Sequence, residues 1–195
     1  MTLLERLVAA LALTAPGDLL RGDLHDPIAN GEAVREAAVL VAITDRPEPG
    51  VLLTERRHDL RVHGGQIAFP GGRIDDGETA RQAALREAWE EIALDPAVVR
   101  IVGQADHYLT VTGYGVTPVV GIVPPDVALK ANPHEVANWF EAPLAFLLDP
   151  ANQQRKTAHF RGRERSYFEI SWKGRQVWGA TAAMIVNLSR RLRWS

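Results

Sequence analysis

Residues 71–94 read GGRIDDGETARQAALREAWEEIAL, and this stretch decides the fold. Thr79 followed by Gln82 is a capping-box pair, in which each side chain can accept the other residue's backbone N–H. Asp95-Pro96 stops the pattern, so a helix is predicted over roughly Ala80 to Ile92. At about 100° per residue, with Glu87 at zero, Glu91 lies near 40° and Glu90 near −60°. Three carboxylates therefore share one face. On the same wheel Leu85, Ala88, Trp89 and Ile92 fall between about 100° and 200°, and this is the face expected to pack on a sheet. Clustered carboxylates raise one another's pKa unless a cation compensates. Hard oxygen ligands of this kind suit Mg²⁺ or Mn²⁺, which keep waters and bridge to phosphates. Arg86 can hold a carboxylate in a two-point grip, and Glu78, just ahead of the helix, is its candidate partner. A solvated acidic face is the commoner meaning of a Glu-rich helix. Here Ala83 and Ala84 keep the carboxylate face low and a Gly-Gly bend leads into it, which favours the metal reading.

Outward from this stretch the pattern is mixed. EAAVLVAIT from Glu36 and GVLLTERR from Gly50 read as a hairpin or two neighbouring strands, and GQIAFPGG as a third extended segment. VVRIVGQA and GVTPVVGIV are predicted strands, with YLTVTGYG between them a loop or bent strand. HEVANWFEAPLAFLLDP gives a short strand and a short helix. QRKTAHFRGRERSYFEISW suggests a hairpin around Gly162. WGATAAMIVNLSRRLRW reads as a second long helix with Ala183, Ile185, Leu188 and Leu192 among its apolar positions. One mixed sheet with helices on both faces is the economical architecture. At the start, Leu3, Leu4, Leu7, Val8 and Leu11 make the stripe of an amphipathic helix; Glu5 and Arg6 interrupt the apolar run, so a signal peptide is not expected. The organisation expected is a helical extension over 1–30 and one domain over 31–195.

The chain has 195 residues, the size of one domain. Its 22 Lys and Arg against 24 Asp and Glu leave a net charge of −2, so no global field gathers nucleic acid. With no cysteine, disulfides, thiolate nucleophiles and Cys-ligated zinc are excluded. No run of apolar residues is long enough to span a membrane. A cytoplasmic location follows as an expectation.

The run from Gly72 to Leu94 resembles the Nudix box: Gly72, Glu78, Arg86-Glu87-Ala88, Glu90-Glu91, then Ala93 and Leu94. Every charged position matches. The departure is Ala93, where the box usually has a glycine free to take a positive φ at the helix end. The resemblance implies an α+β fold, an α/β/α sandwich with a mixed sheet between helices, and metal-dependent hydrolysis of a nucleoside diphosphate derivative. It implies Mg²⁺ or Mn²⁺ on Glu87, Glu90, Glu91 and the Gly71 carbonyl, with Glu87, Arg86 and Glu78 as the catalytic set: Glu87 activates water and Arg86 orients it. A base from a later loop also occurs in this family. Glu135 and Glu164 are the carboxylates in place, each read first as a surface group.

The preceding stretch, LLTERRHDLRVHGGQIAFPGG, resembles the signature of the coenzyme A pyrophosphatase branch at Leu52-Leu53-Thr54, Arg56, Arg61, Gly65 and Phe69-Pro70-Gly71-Gly72. Position 57, often small there, is arginine. Trp178 to Ala182, WGATA, resembles the same branch. This implies coenzyme A, and acyl or oxidised CoA, as substrate, with Arg56, Arg61, Gly65, Phe69 and Gly72 at the substrate. CoA carries a 3′-phosphate besides its diphosphate, so a selective site needs cations away from the metals; Arg57, His63, Arg161, Arg163 and Arg165 are further candidates. The partner expected is a small molecule, with neither nucleic acid nor membrane and with a homodimer allowed for. The alternatives are a Nudix pyrophosphatase acting on ADP-ribose, dinucleotides or nucleoside triphosphates, and a non-catalytic ligand- or RNA-binding module suggested by the basic tail SRRLRW and the basic hairpin around Gly162.

Overall fold

The computed structural model describes residues 2–22, 33–57, 59, 65–160 and 163–194; the expectations on Arg61, His63 and Arg161 lie outside them. In chain order the elements are α1 (Leu3–Ala12), β1 (Arg35–Thr44), β2 (Gly50–Arg56), β3 (Ile67–Ala68), β4 (Gly71–Arg73), α2 (Ala80–Ile92), β5 (Arg100–Gln104), β6 (Tyr108–Leu109), β7 (Tyr114–Val123), β8 (Val136–Pro143), α3 (Leu144–Leu148), β9 (Gln154–Phe160), β10 (Arg163–Trp172), β11 (Arg175–Trp178) and α4 (Ala180–Leu192).

β1 is apolar along most of its length because it is covered on both faces. Ala38, Leu40 and Ala42 pack with Leu52, Ala84, Ala88 and Ile92 on the α2 side. Ala37, Val41 and Ile43 pack with Leu53, Leu144 and Leu188 on the α4 side. β1 pairs in parallel with β7 from Arg35↔Tyr114 to Thr44↔Val123. On its other edge it meets β2 at Ile43↔Val51 and then gives that edge to β4, through Val39↔Gly71, Ala38↔Gly72 and Ala37↔Arg73. β2 instead pairs with β3 and, from Gly50↔Pro143 to Arg56↔Val136, with β8. The predicted third segment is thus two strands, split at Phe69-Pro70, with the Pro70 carbonyl accepting from Leu40 N at 2.8 Å. That split delivers the Gly-Gly pair to the centre of the sheet beneath α2.

The expected hairpin around Gly162 is present as β9 and β10, and with β11 it forms a second, three-stranded sheet. The predicted apolar positions of α4 are all buried. α1 carries the Thr2/Glu5 capping box and buries Leu7 completely, with Leu3, Leu4 and Leu11 packed on the same core. Val8 does not join them: it is 48% exposed, about 100° round the helix from Leu7, and Ala10 is buried instead. The last helix holds this segment. Arg191 Nη1 donates to the carbonyls of Ala10 (2.8 Å) and Leu13 (3.0 Å), groups at a helix end that lack intrahelical partners. Its remaining nitrogens grip Asp106. Asn187 both donates to and accepts from the Leu20 backbone at 2.8 Å. No helix among the described residues is long and apolar enough to cross a membrane.

α2 has the predicted bounds and the predicted Thr79/Gln82 capping box. Ala88 and Ile92 are buried and Leu85 packs beside them, as expected, but Trp89 is 54% exposed and Ala83, Ala84 and Glu91 are buried in its place. The helix is turned toward its alanine and glutamate side, because small residues there let it approach the sheet closely. Glu87 and Glu91 therefore face inward. Ala93 ends the helix at φ 54°, ψ 31°, the left-handed conformation that glycine takes without strain. Its N–H returns to the Trp89 carbonyl at 2.9 Å, the bond of an αL cap, and Leu94 N reaches the Ala88 carbonyl at 3.3 Å. Ala93→Gly should stabilise the protein by about 1 kcal/mol by removing the Cβ strain; urea denaturation of the two proteins measures the difference.

Candidate active site

Four segments meet around the inner face of α2: β4, the end of β2, the turn holding Glu78, and the loop before β8. Two contacts explain the Gly-Gly pair. A Cβ on Gly72 would lie 2.7 Å from Glu87 Oε2, and one on Gly71 would lie 2.7 Å from Val39 Cα. Only a bare backbone fits between β1 and α2 at this separation.

Arg86 organises the acidic face. Its Nε and Nη2 each donate to Glu78 at 3.0 Å, the two-point grip expected from the sequence. Nη1 donates to Glu87 (2.8 Å) and Glu90 (3.2 Å), and Nη2 also to the Arg73 carbonyl (2.9 Å). One guanidinium thus ties the turn, β4 and two carboxylates of α2 together. Its hydrogen bonds to Glu78 raise the Arg86 pKa further above its ordinary value, and Arg86 in turn lowers that of Glu78.

Glu87 and Glu91 are the inward pair. Burial raises the pKa of Glu87, and the hydrogen bond from Arg86 only partly opposes it. Glu91 is 2% exposed and burial pushes it up to about 8, against a hydrogen bond from Gly71 N to Glu91 Oε2 at 3.2 Å. Arg56 Nη1 stands 3.8 Å from Glu91 Oε1, beyond hydrogen-bond range, and the buried Arg56 Nε has no hydrogen-bond partner. Glu90 is half-exposed at the edge of the face. Among the described residues no three acidic or histidine side chains converge on one point: Glu90 turns to Arg86, and Glu91 to the Gly71 amide.

The other expected residues divide. Gly65, at φ 73°, makes the turn into β3, its N–H bonded to the Arg56 carbonyl at 3.1 Å. Phe69 is 3% exposed and belongs to the core on the α4 side, so its side chain packs rather than meeting a ligand. Arg57 is engaged with Asp59 and the Pro133 carbonyl. Arg163, Glu164 and Arg165 lie on β10 in the second sheet, where Glu164 is exposed. Glu135 is different: its charge reaches both Glu87 and Glu91 and raises the pKa of each. It adjoins a shallow, open depression lined by Arg57, Asp59, Pro133, Val136 and Ala137. In the basic tail, Arg190 bonds the Asp18 carbonyl and Arg191 is buried on Asp106, so these two arginines serve the fold.

A family model of the NUDIX domain matches residues 34–164. The chain belongs to the Nudix family. It is 44% identical to NudL of Escherichia coli K12, an uncharacterized Nudix hydrolase, over 185 residues, 93% of this chain and 96% of that protein. The NudL of Escherichia coli O6:H1 matches to the same extent, 44% over 185 residues with 93% and 96% covered. Among solved structures, the Nudix hydrolase RenU of M. smegmatis is similar with a TM-score of 0.50 at 24% identity, covering 58% of this chain and 73% of that one, a likeness that carries the fold alone. The sandwich, with α2 on one face of the mixed sheet and α4 on the other, is the Nudix fold. The protein is a Nudix hydrolase, acting on diphosphate linkages, and enzymes of this family work with divalent metal ions.

Two outcomes test the geometry. Gly71→Ala drives a Cβ into the β1 backbone and should destabilise the fold, whereas Gly72→Ala meets the mobile end of Glu87 and should leave a folded protein with most turnover lost; thermal melts and kcat separate them. The second outcome concerns pH. A group whose folded pKa exceeds its unfolded value stabilises fully below the unfolded pKa and loses that contribution as pH rises. For Glu91 the window runs from about 4.5 to about 8. In EDTA the wild type should therefore lose stability relative to Glu91→Gln across this range, and denaturation midpoints at pH 5 and pH 8.5 measure it; parallel pH profiles refute the assignment.

Proposed function

We propose that this Nudix hydrolase splits the diphosphate of coenzyme A, and of acyl or oxidised CoA, into 3′,5′-ADP and 4′-phosphopantetheine or its derivative. The observation that carries the reading is Arg56. The CoA-branch signature fixes an arginine at this position, and here it stands at the rim of the acidic face with a buried Nε that lacks an acceptor. A buried unpaired guanidinium N–H is costly, and an anionic oxygen of the substrate removes that cost. Cytoplasmic CoA chemistry is the setting in which we read it.

Glu87, Glu90, Glu91 and the Gly71 carbonyl would hold Mg²⁺ or Mn²⁺. The donor set fits a hard cation: it is all oxygen, and burial disfavours the charge of Glu87 and Glu91 by more than the guanidiniums beside them offset, a cost that a bound cation would relieve. When bound, the ion neutralises the diphosphate and acidifies water. The chain's own residues do the rest. Glu87, whose charge is disfavoured by burial and by Glu135, takes a proton from the attacking water. Arg86, fixed by Glu78, aims Glu87, and Arg56 holds the diphosphate. One water is consumed: its oxygen bonds to one phosphorus as that phosphorus's own bond to the bridging oxygen breaks, the bridging oxygen departs on the other phosphate, and each product leaves as a phosphate monoester.

CoA, ADP-ribose, a dinucleotide and a nucleoside triphosphate, assayed in parallel with Mg²⁺ and then Mn²⁺, test the specificity. CoA should give the highest kcat/KM; a higher value for ADP-ribose assigns the chain to another Nudix specificity. Glu91→Gln should lose most metal-dependent turnover with every substrate cleaved, and wild-type turnover in that variant overturns the ligand set.

A further inference from the structure

We infer that Arg57 is a positioning residue for the Nudix reaction, a strut that holds Glu135 toward the inner carboxylates of α2. The inference rests on the proposed role of that face. The segment from Lys130 to Val136 is fixed at two sides. On the α2 side, Lys130 N donates to the Ile92 carbonyl (2.9 Å) and Asn132 N to the Glu91 carbonyl (2.8 Å). A turn follows, with Glu135 N and Val136 N both bonded to the Asn132 carbonyl, at 3.1 and 2.9 Å. On the far side stands Arg57. Its backbone N–H donates to the Glu135 carbonyl at 3.3 Å, and its Nη1 to the Pro133 carbonyl at 2.8 Å. Asp59 takes Nε at 2.8 Å and Nη2 as well, which sets the plane of the guanidinium and points Nη1 at Pro133.

The strand pairing makes such a strut necessary. Glu55 pairs with Asn138, but the next residue, Arg56, pairs with Val136, so Ala137 is an extra residue in β8. A bulge of this kind re-aims the chain and interrupts the ladder. Past it, the ladder toward Glu135 is reduced to the single long bond from Arg57 N to the Glu135 carbonyl. The Arg57 side chain adds a second tie, at the Pro133 carbonyl, and lines the open depression beside it. Position 57 is also where this chain departs from the small residue frequent in the signature it resembles. Arg57 acts through Glu135, and its pairing with Asp59 is exposed, so its contribution to stability is small.

The test compares Arg57→Ala, Arg57→Lys, Glu135→Gln and the Arg57→Ala/Glu135→Gln pair in the full chain, assayed on the best diphosphate substrate with Mg²⁺, with thermal midpoints measured alongside. Arg57→Ala should lower kcat about tenfold, with KM within about twofold and the midpoint nearly unchanged, as misplacement of a group beside the reacting carboxylate does. Arg57→Lys, which keeps a donor for the Pro133 carbonyl, should recover much of the loss. The double variant should be no slower than Glu135→Gln alone. Losses that multiply in the double variant overturn the inference, as does wild-type kcat in Arg57→Ala beside a slow Glu135→Gln. Wild-type kcat in Glu135→Gln removes both the role of Glu135 and its strut, while leaving Glu87 and Glu91 to their own variants.

Discussion

The approach of α2 to the sheet is the constraint on which the remaining structure depends. It is set by missing atoms: no Cβ on Gly71 or Gly72, and only methyl groups at Ala83, Ala84 and Ala88. A larger residue at the alanines would push the helix outward, a Cβ at Gly72 would meet the Glu87 carboxylate, and one at Gly71 would meet the β1 backbone. Because the helix sits low, Glu87 and Glu91 are taken out of water along with the alanines, and their charge becomes an energetic problem that a solvated acidic helix would not have. The reactivity of the face and its packing thus have one origin.

Arg86 and Arg56 answer that problem unequally. Arg86 is saturated, with Glu78 below it, the Arg73 carbonyl beside it, and Glu87 and Glu90 above. It behaves as part of the frame. Arg56 is long-armed, under-bonded and too far from Glu91 to neutralise it well. A rigid cation that orients and a loosely held one that can receive an anion are different parts, although both are arginines within one acidic pocket.

Much of this was legible in the chain. The helix bounds, its capping box, the carboxylate spacing and the Glu78–Arg86 grip all follow from local rules, since every partner lies within a turn or two. What local rules could not supply was the direction α2 faces. A hydrophobic wheel places Trp89 against the sheet, but the helix buries its smallest residues and leaves the tryptophan outside, because depth of approach outweighs apolar area here. Phe69 and Val8 were misplaced for a similar reason: their environments are decided by segments far away in sequence. Glu135 was visible as one acid among many, and only the turn at Asn132, bonded to the carbonyl of Glu91, brings it near the site. The splitting of Gln66 to Gly72 into β3 and β4 had no signal beyond Pro70.

The clasp between the first helix and the last has a temporal side. Arg191 and Asn187 supply the groups that close the end of α1 and seat Leu20, and both lie in the final helical element. α1 also lies against β5, with the Leu11 side chain beside Gly103, so a strand from the middle of the chain and the last helix share the cover of the leucine stripe. The clasp itself joins residues 181 positions apart. Contacts of such long sequence separation form late and slowly beside local ones such as the β9–β10 hairpin, so closing the end of α1 is a slow step of folding.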